Sequence, residues 1–400
     1  MKKAKLILTS SLLTILIVSS IPFLNASETD YVLKGNEILQ ITNDVFTLSS
    51  NLTLKDNAEL ILDNGTLQIV EDSPQQYCIV LSGHSKIILE NNSTLEYGGR
   101  FTRSAVPISL TGNSYLEVSG STISVGVAAG DSSEVQLKNS RLSRGLGVNG
   151  FSKAAIENTS IYFLGIGDRA NVTVSNSNIN NLDTVGNSEF RAVDSTIGYG
   201  WQTWEGIYWS TDENSSIWMT NCSLGVNSDR EELEFNGFST VWLIDCDLGK
   251  GTFDVQGFGA KVFIAYSLTV DVETKNGAPI EDVLVSVYYS NNNTLAEQAK
   301  TDSAGKVKFV LPQWIIQKFG GTYTGEYKIV TNFGSGYETD VTLDSSKEIV
   351  VSPRASNIFE GIYALTTLET VLTVIAIILF LVIVALIYFI KSGRAKQSSS

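Results

Sequence analysis

Apolar and polar positions along this chain recur in one eight-residue frame. Written forward, the frame is apolar, any, apolar, any, Asn or Asp, small, any, Leu or Ile. It fits residues 60–67, 116–123, 135–142, 154–161, 172–179, 190–197, 217–224 and 241–248. The fifth slot holds Asn64, Gly120, Asn139, Asn158, Asn176, Asp194, Asn221 and Asp245. The sixth holds Gly65, Ser121, Ser140, Thr159, Ser177, Ser195, Cys222 and Cys246. Leu95 closes a further copy that carries one extra residue, Asn91-Asn92, and at Leu268 the register slips.

Apolar residues two apart put one face of a strand inward. Asn, Asp or Gly then tolerates a left-handed backbone, so the chain turns a corner without strain. The small residue and the Leu or Ile resume the inward face. Successive closing residues, from Leu67 through Leu95 to Leu248, are 28, 28, 19, 19, 18, 18, 27 and 24 apart. A period near 20 that varies by insertion predicts one solenoid coil per repeat, with coils pairing at roughly 4.8 Å. The rival is a meander of antiparallel strands, which the recurring corner residue disfavours.

The expected class is all-β: a right-handed parallel β-helix solenoid of about ten coils, then a small antiparallel β-sandwich, plus one C-terminal transmembrane helix. Residues 1–26 combine Lys2, Lys3 and Lys5 with an apolar run and read as a secretory signal; an uncleaved anchor is the alternative. Residues 27–267 are the expected β-helix. From 268 the grammar changes to short alternating strands separated by turns at Asn276-Gly277 and Asp302–Gly305, which predicts a sandwich over 268–352. A linker over 353–370 follows. Residues 371–390 carry no charge and are long enough to cross a bilayer as a helix. Lys391, Arg394 and Lys396 lie in the tail, 391–400, and place it in the cytoplasm with the body outside the cell.

Two resemblances follow from these residues. The repeat grammar of 60–267 resembles the pectate-lyase-like parallel β-helix, an architecture that includes polysaccharide lyases, hydrolases and non-enzymatic surface proteins. No lyase set of calcium-binding acids with a basic proton acceptor, and no paired-Asp hydrolase signature, accompanies it. Residues 274–279 (Thr-Lys-Asn-Gly-Ala-Pro) leading to 283–287, and 301–305 (Thr-Asp-Ser-Ala-Gly) leading to 307–309 and Leu311-Pro312, resemble carboxypeptidase-regulatory-like and Ig-like modules. Such modules are spacers or binding accessories. The combination resembles bacterial and archaeal surface proteins.

Charge narrows the function. The chain has 42 acidic against 28 basic residues, a net charge of −14, and its basic ends leave the body between them more acidic still. Such a surface repels nucleic acid. Three cysteines exclude a disulfide-built scaffold. The single histidine, His84, excludes His-rich metal sites. No residue set points to a catalytic group, a metal or another cofactor, and none is expected.

Candidate chemistry concentrates in two long insertions, where solenoids place their binding loops. The first holds Trp201, Trp204, Glu205 and Trp209; the second holds Asp229 and Glu232. Indole rings that stack on sugar CH faces beside carboxylates make these six the expected glycan-binding residues. The competing reading is that the rings pack the insertion and the acids are a solvated loop. Ten Asn-x-Ser/Thr sequons suggest a glycosylated exterior, yet Asn64, Asn158 and Asn221 arise from the corner slot of the repeat, so tight corners there would make them structural rather than modified. The expected function is structural or adhesive at the cell surface. The expected partners are the membrane through the anchor, polysaccharide and other surface proteins, without nucleic acid. The alternative is a surface polysaccharide lyase or glycoside hydrolase acting from the coil flank.

Overall fold

The computed structural model describes residues 5–8, 30–71, 76–98, 108–198, 209–211, 213–225, 232–249, 252–333 and 336–352. The chain divides into two units: Met1–Tyr266 with Pro312–Thr324, and Ser267–Leu311 with Gly325–Ser400.

The first unit is built of parallel sheets, as a β-helix-like solenoid. One sheet stacks the strands that precede each corner: Glu37–Thr42, Glu59–Asp63, Lys86–Glu90, Tyr115–Ser119, Glu134–Lys138, Lys153–Glu157, Asn171–Ser175, Glu189–Val193, Ser216–Thr220 and Thr240–Ile244, then the start of Lys261–Val272. Each pairs in parallel with the next, in register: Val135 lies opposite Ala154, which lies opposite Val172. A second sheet stacks the strands that follow the corners, and in the shortest coils these run long, as in Arg141–Val148, Ser160–Ile166 and Asn178–Thr184. Burial alternates along the strands before the corners, as in Glu134–Lys138, Lys153–Glu157 and Asn171–Ser175, and the inward Leu, Ile and Val side chains belong to one core cluster. Lys5–Leu8, inside the stretch read as a signal, is a strand antiparallel to Glu37–Thr42.

All eight predicted corners adopt the left-handed backbone, with φ between 47° and 57°. In the small slot that follows, the first copy has no room for a side chain at all. A Cβ on Gly65 would stand 2.5 Å from the carbonyl oxygen of Ile41 in the coil before.

Pro312–Thr324 belongs to the coil unit although it lies deep in the second unit's sequence. It is a hairpin in which Trp314 pairs with Tyr323 and Gln317 with Gly320. Ile316 packs on the coil core, Phe319 meets Phe258 at 5.9 Å, and the Lys318 ammonium sits 3.7 Å from the Phe258 ring centre. The hairpin thus covers the last coil, as an open solenoid end requires.

The second unit has a four-stranded antiparallel sheet ordered Leu295–Lys300, Leu284–Tyr289, Glu326–Thr331 and Tyr337–Thr342. Its core includes Val270, Val285, Phe309, Tyr327, Ile329 and Leu343. Lys306 bridges Asp271 at 3.3 Å and Glu348 at 2.6 Å.

Two parts of the expected fold class are corrected. The expected small sandwich is purely antiparallel, but Leu268 through Val272 pairs in parallel with Lys347–Val351. Alternation along a strand fixes which face is buried and leaves the direction of its partner open. The expected class also ends in a membrane helix. Every described element is a strand, and no helix among the described residues is long and apolar enough to cross a membrane. Residues 371–390, on which that expectation rests, lie outside the described residues. An uncharged run of that length meets what a span requires of a sequence and does not by itself make a helix.

Candidate functional site

The corners stack into a polar edge along the coil unit. On it, side-chain amides bridge adjacent coils: Asn64 Nδ2 donates to Asn43 Oδ1 (2.7 Å), Asn158 Nδ2 to Asn139 Oδ1 (2.6 Å) and Asn221 Nδ2 to Asp194 Oδ1 (2.5 Å). The left-handed corner orients these short side chains along the stack, so the residue type that relieves backbone strain also links the coils.

Beneath the corners runs a buried hydroxyl ladder. Each small-slot N–H donates to the hydroxyl one coil on: Ser93 to Ser121 Oγ, Ser121 to Ser140, Ser140 to Thr159, Thr159 to Ser177 and Ser177 to Ser195, at 3.0–3.3 Å. Each of these hydroxyls donates back to the carbonyl two residues before it, at 2.6–2.9 Å. Every rung both accepts and donates, so the buried polar atoms are satisfied. Cys222 and Cys246 end this run in the same slot. Both are free and buried, and their thiols reach the Thr220 and Ile244 carbonyls at 3.4 Å. The hydrogen bond with Cys222, together with burial, holds the Cys246 thiol well above its ordinary pKa.

Outside the ladder lies a groove of about 330 Å³. One wall is the corner column Gly120, Asn139, Asn158 and Asn176. The other is the outward column Thr122, Arg141, Ser160 and Asn178, in register across the second sheet. Ser121, Ser140 and Thr159 are its floor. The floor is saturated by the ladder, so the free hydrogen-bonding capacity is on the walls. Asn139, Arg141, Asn158, Asn176 and Asn178 are exposed there. Among the described residues, no carboxylate lies within ion-pair reach of Arg141, whereas nearby Lys138 pairs with Glu157 at 3.1 Å.

Of the expected glycan-binding residues, Trp201, Trp204, Glu205 and Asp229 lie outside the described residues. Trp209 and Glu232 begin the strands Trp209–Thr211 and Glu232–Phe235, where the backbone of Trp209 pairs with Leu233.

A different aromatic feature is present nearby. Arg191, Trp218, Trp242 and Phe263 occupy one outward register position in four successive coils. The two indoles stack at 5.5 Å with planes 2° apart. Phe263 stacks on Trp242 at 4.2 Å and 6°, and the Arg191 guanidinium lies 5.5 Å from the Trp218 ring centre. Trp218 and Trp242 turn their ring faces on their neighbours, so the column serves coil-to-coil packing. Trp242 and Phe263 are absent from the expected site. Their signal is the shared slot between two apolar positions, visible once the repeats are aligned.

No family model matches this chain, and no curated protein matches it. Among solved structures, part of it is similar to the shaft pilin SpaA from Lactobacillus rhamnosus GG, at 11% identity and a TM-score of 0.18 over 22% of this chain and 48% of that one. A mutant form of the same pilin gives the same identity and score over 22% and 47%. The matched part spans about half of each pilin chain, and a likeness this slight bears on neither fold nor function.

Proposed function

We propose that this chain is an extracellular surface protein with a structural or adhesive role, in which the coil unit is a stiff scaffold that presents a polysaccharide-binding edge. In this reading the coil unit is a pectate-lyase-like β-helix and the second unit a carboxypeptidase-regulatory-like or Ig-like spacer. The observation that carries it is the repeated side-chain bonding between neighbouring coils. Corner amides, the hydroxyl ladder and the aromatic column all spend their side chains on joining neighbouring coils. A scaffold so joined resists local opening, which suits load and display. The strong negative charge supports the extracellular setting through solubility.

Protease added to intact cells of the source organism tests this. Loss of the 30–352 body, detected with antibodies against it, is the expected result. A body protected until the cells are lysed contradicts the proposal.

A further inference from the structure

The Asn-x-Ser/Thr sequons are equivalent as sequence and unlike in the fold. Asn25 lies outside the described residues. Within the coil unit, the amide nitrogens of Asn51, Asn91 and Asn171 donate to Asp30, Asp63 and Glu189 at 2.8–2.9 Å, and those of Asn64, Asn158 and Asn221 to neighbouring corners. Asn92 and Asn214 are exposed, but the residue two positions on is fixed. Thr94 and Ser216 are half-buried in strands, with their N–H groups bonded to the Gly65 and Ser188 carbonyls of the coil before at 2.9 Å. A transferase has to take the Asn and the hydroxyl together, and neither strand releases its half of the pair.

Asn292 stands differently. It lies in the loop between the antiparallel strands Leu284–Tyr289 and Leu295–Lys300, and residues 291–295 are all exposed. Its Oδ1 accepts from the Thr294 N–H at 2.9 Å and from Thr294 Oγ1 at 2.7 Å. Among the described sequons, this is the one whose hydroxyl bonds its own Asn amide. The oxygen is held, and Nδ2, which makes no hydrogen bond among the described residues, is the free end of the side chain. An amide nitrogen is a poor nucleophile because its lone pair is delocalised into the carbonyl. Two hydrogen bonds at Oδ1 polarise that carbonyl and make the Nδ2 protons easier to lose.

We propose that Asn292 carries an N-linked glycan and that the described sequons of the coil unit stay bare. The donor is a glycosyl phosphate held by a transferase. Nδ2 bonds the anomeric carbon, the bond from that carbon to the phosphate oxygen breaks, and the phosphate leaves with the electron pair. One Nδ2 proton passes to a base of the transferase. The inference rests on the extracellular setting proposed above and names one modified residue within it.

Tandem mass spectrometry of the full chain, purified from its source and cut with trypsin, tests it. The peptide 276–300 should carry a sugar mass on Asn292 in most molecules. Asn292→Gln and Thr294→Val, made in the same source, should each lose it, whereas Thr294→Ser keeps the hydroxyl and should keep the glycan. Both positions are exposed, so the melting temperatures of these variants should match that of wild type stripped of its glycan. A bare Asn292 in the wild type, a glycan that survives Thr294→Val, or higher occupancy at any sequon of the coil unit would overturn the proposal. A body that protease removes from intact cells, with Asn292 bare, ends this inference and leaves the surface role standing. A protected body contradicts the surface role whatever the peptide shows.

Discussion

The corner asparagines do two jobs, and substitutions separate them. Asn158→Gly keeps a residue at ease with φ of 47° and loses only the bridge to Asn139. Asn158→Ala loses both, and the left-handed backbone then costs about 1–2 kcal/mol more. Urea unfolding should therefore rank wild type above Gly and Gly above Ala; equal losses would mean that backbone strain is irrelevant there. The Nδ2 atoms of Asn64, Asn158 and Asn221 already bridge coils, so peptide mapping of protein from its source should find these three sequons unmodified. In the ladder below, Ser140→Ala strips the acceptor from the Ser121 N–H in a buried setting and should cost about 1–3 kcal/mol. Cys222→Ser puts a hydroxyl back into a hydroxyl slot and should be tolerated far better than Ser140→Ala. At this scale the sequence is most readable, because the residue types that tolerate a left-handed corner are few. Arg141 was unreadable as a site residue: its neighbours at 122 and 160 lie 19 positions away in either direction, and only the folded register brings them to one wall.

Single elements reveal what a linear reading loses. Trp218 falls in an unrestricted slot of the repeat frame, and the fold sets it on a regular strand between Arg191 and Trp242. Trp242→Ala breaks two stacked contacts at once and should destabilise the coil unit by about 1–3 kcal/mol beyond the loss of buried area. It should also abolish any paired-indole feature in the near-ultraviolet circular dichroism; a spectrum unchanged apart from intensity would contradict the stack. The hairpin Pro312–Thr324 is invisible in the sequence for a related reason. The strand begun at Lys306 runs on to Gln317, and only a break in alternation at Leu311-Pro312 marks the passage from one unit to the other. In the second unit, hydrogen bonds to Glu348 and then Asp271 raise the pKa of Lys306 above its ordinary 10.5. A lysine raised on folding adds stability that is fully present below that ordinary value and is lost as pH rises through the folded one. Lys306→Gln should thus lower the melting temperature of this unit at pH 8, and the difference from wild type should vanish in strong alkali.

Over the whole molecule, the period near 20 was legible because insertions lengthen coils without disturbing the frame, and the core follows from it residue by residue. The division into units was legible only in part, since the chain returns to the first unit after entering the second. Everything argued about groove, ladder and column depends on parallel, in-register coils, and the rival meander would pair the same strands in the opposite direction. Paired cysteines distinguish the two directly, in a chain whose own three cysteines are replaced by serine. Lys153 faces Asn171 in the parallel register, while Ser175 faces Glu157 at the far end of the strand. Four residues of strand separate the alternatives by about 13 Å, beyond the reach of a disulfide. Mild oxidation should close an intramolecular bond in Lys153→Cys/Asn171→Cys and leave Lys153→Cys/Ser175→Cys open. Closure of the second pair and not the first would contradict the coil register and everything built on it.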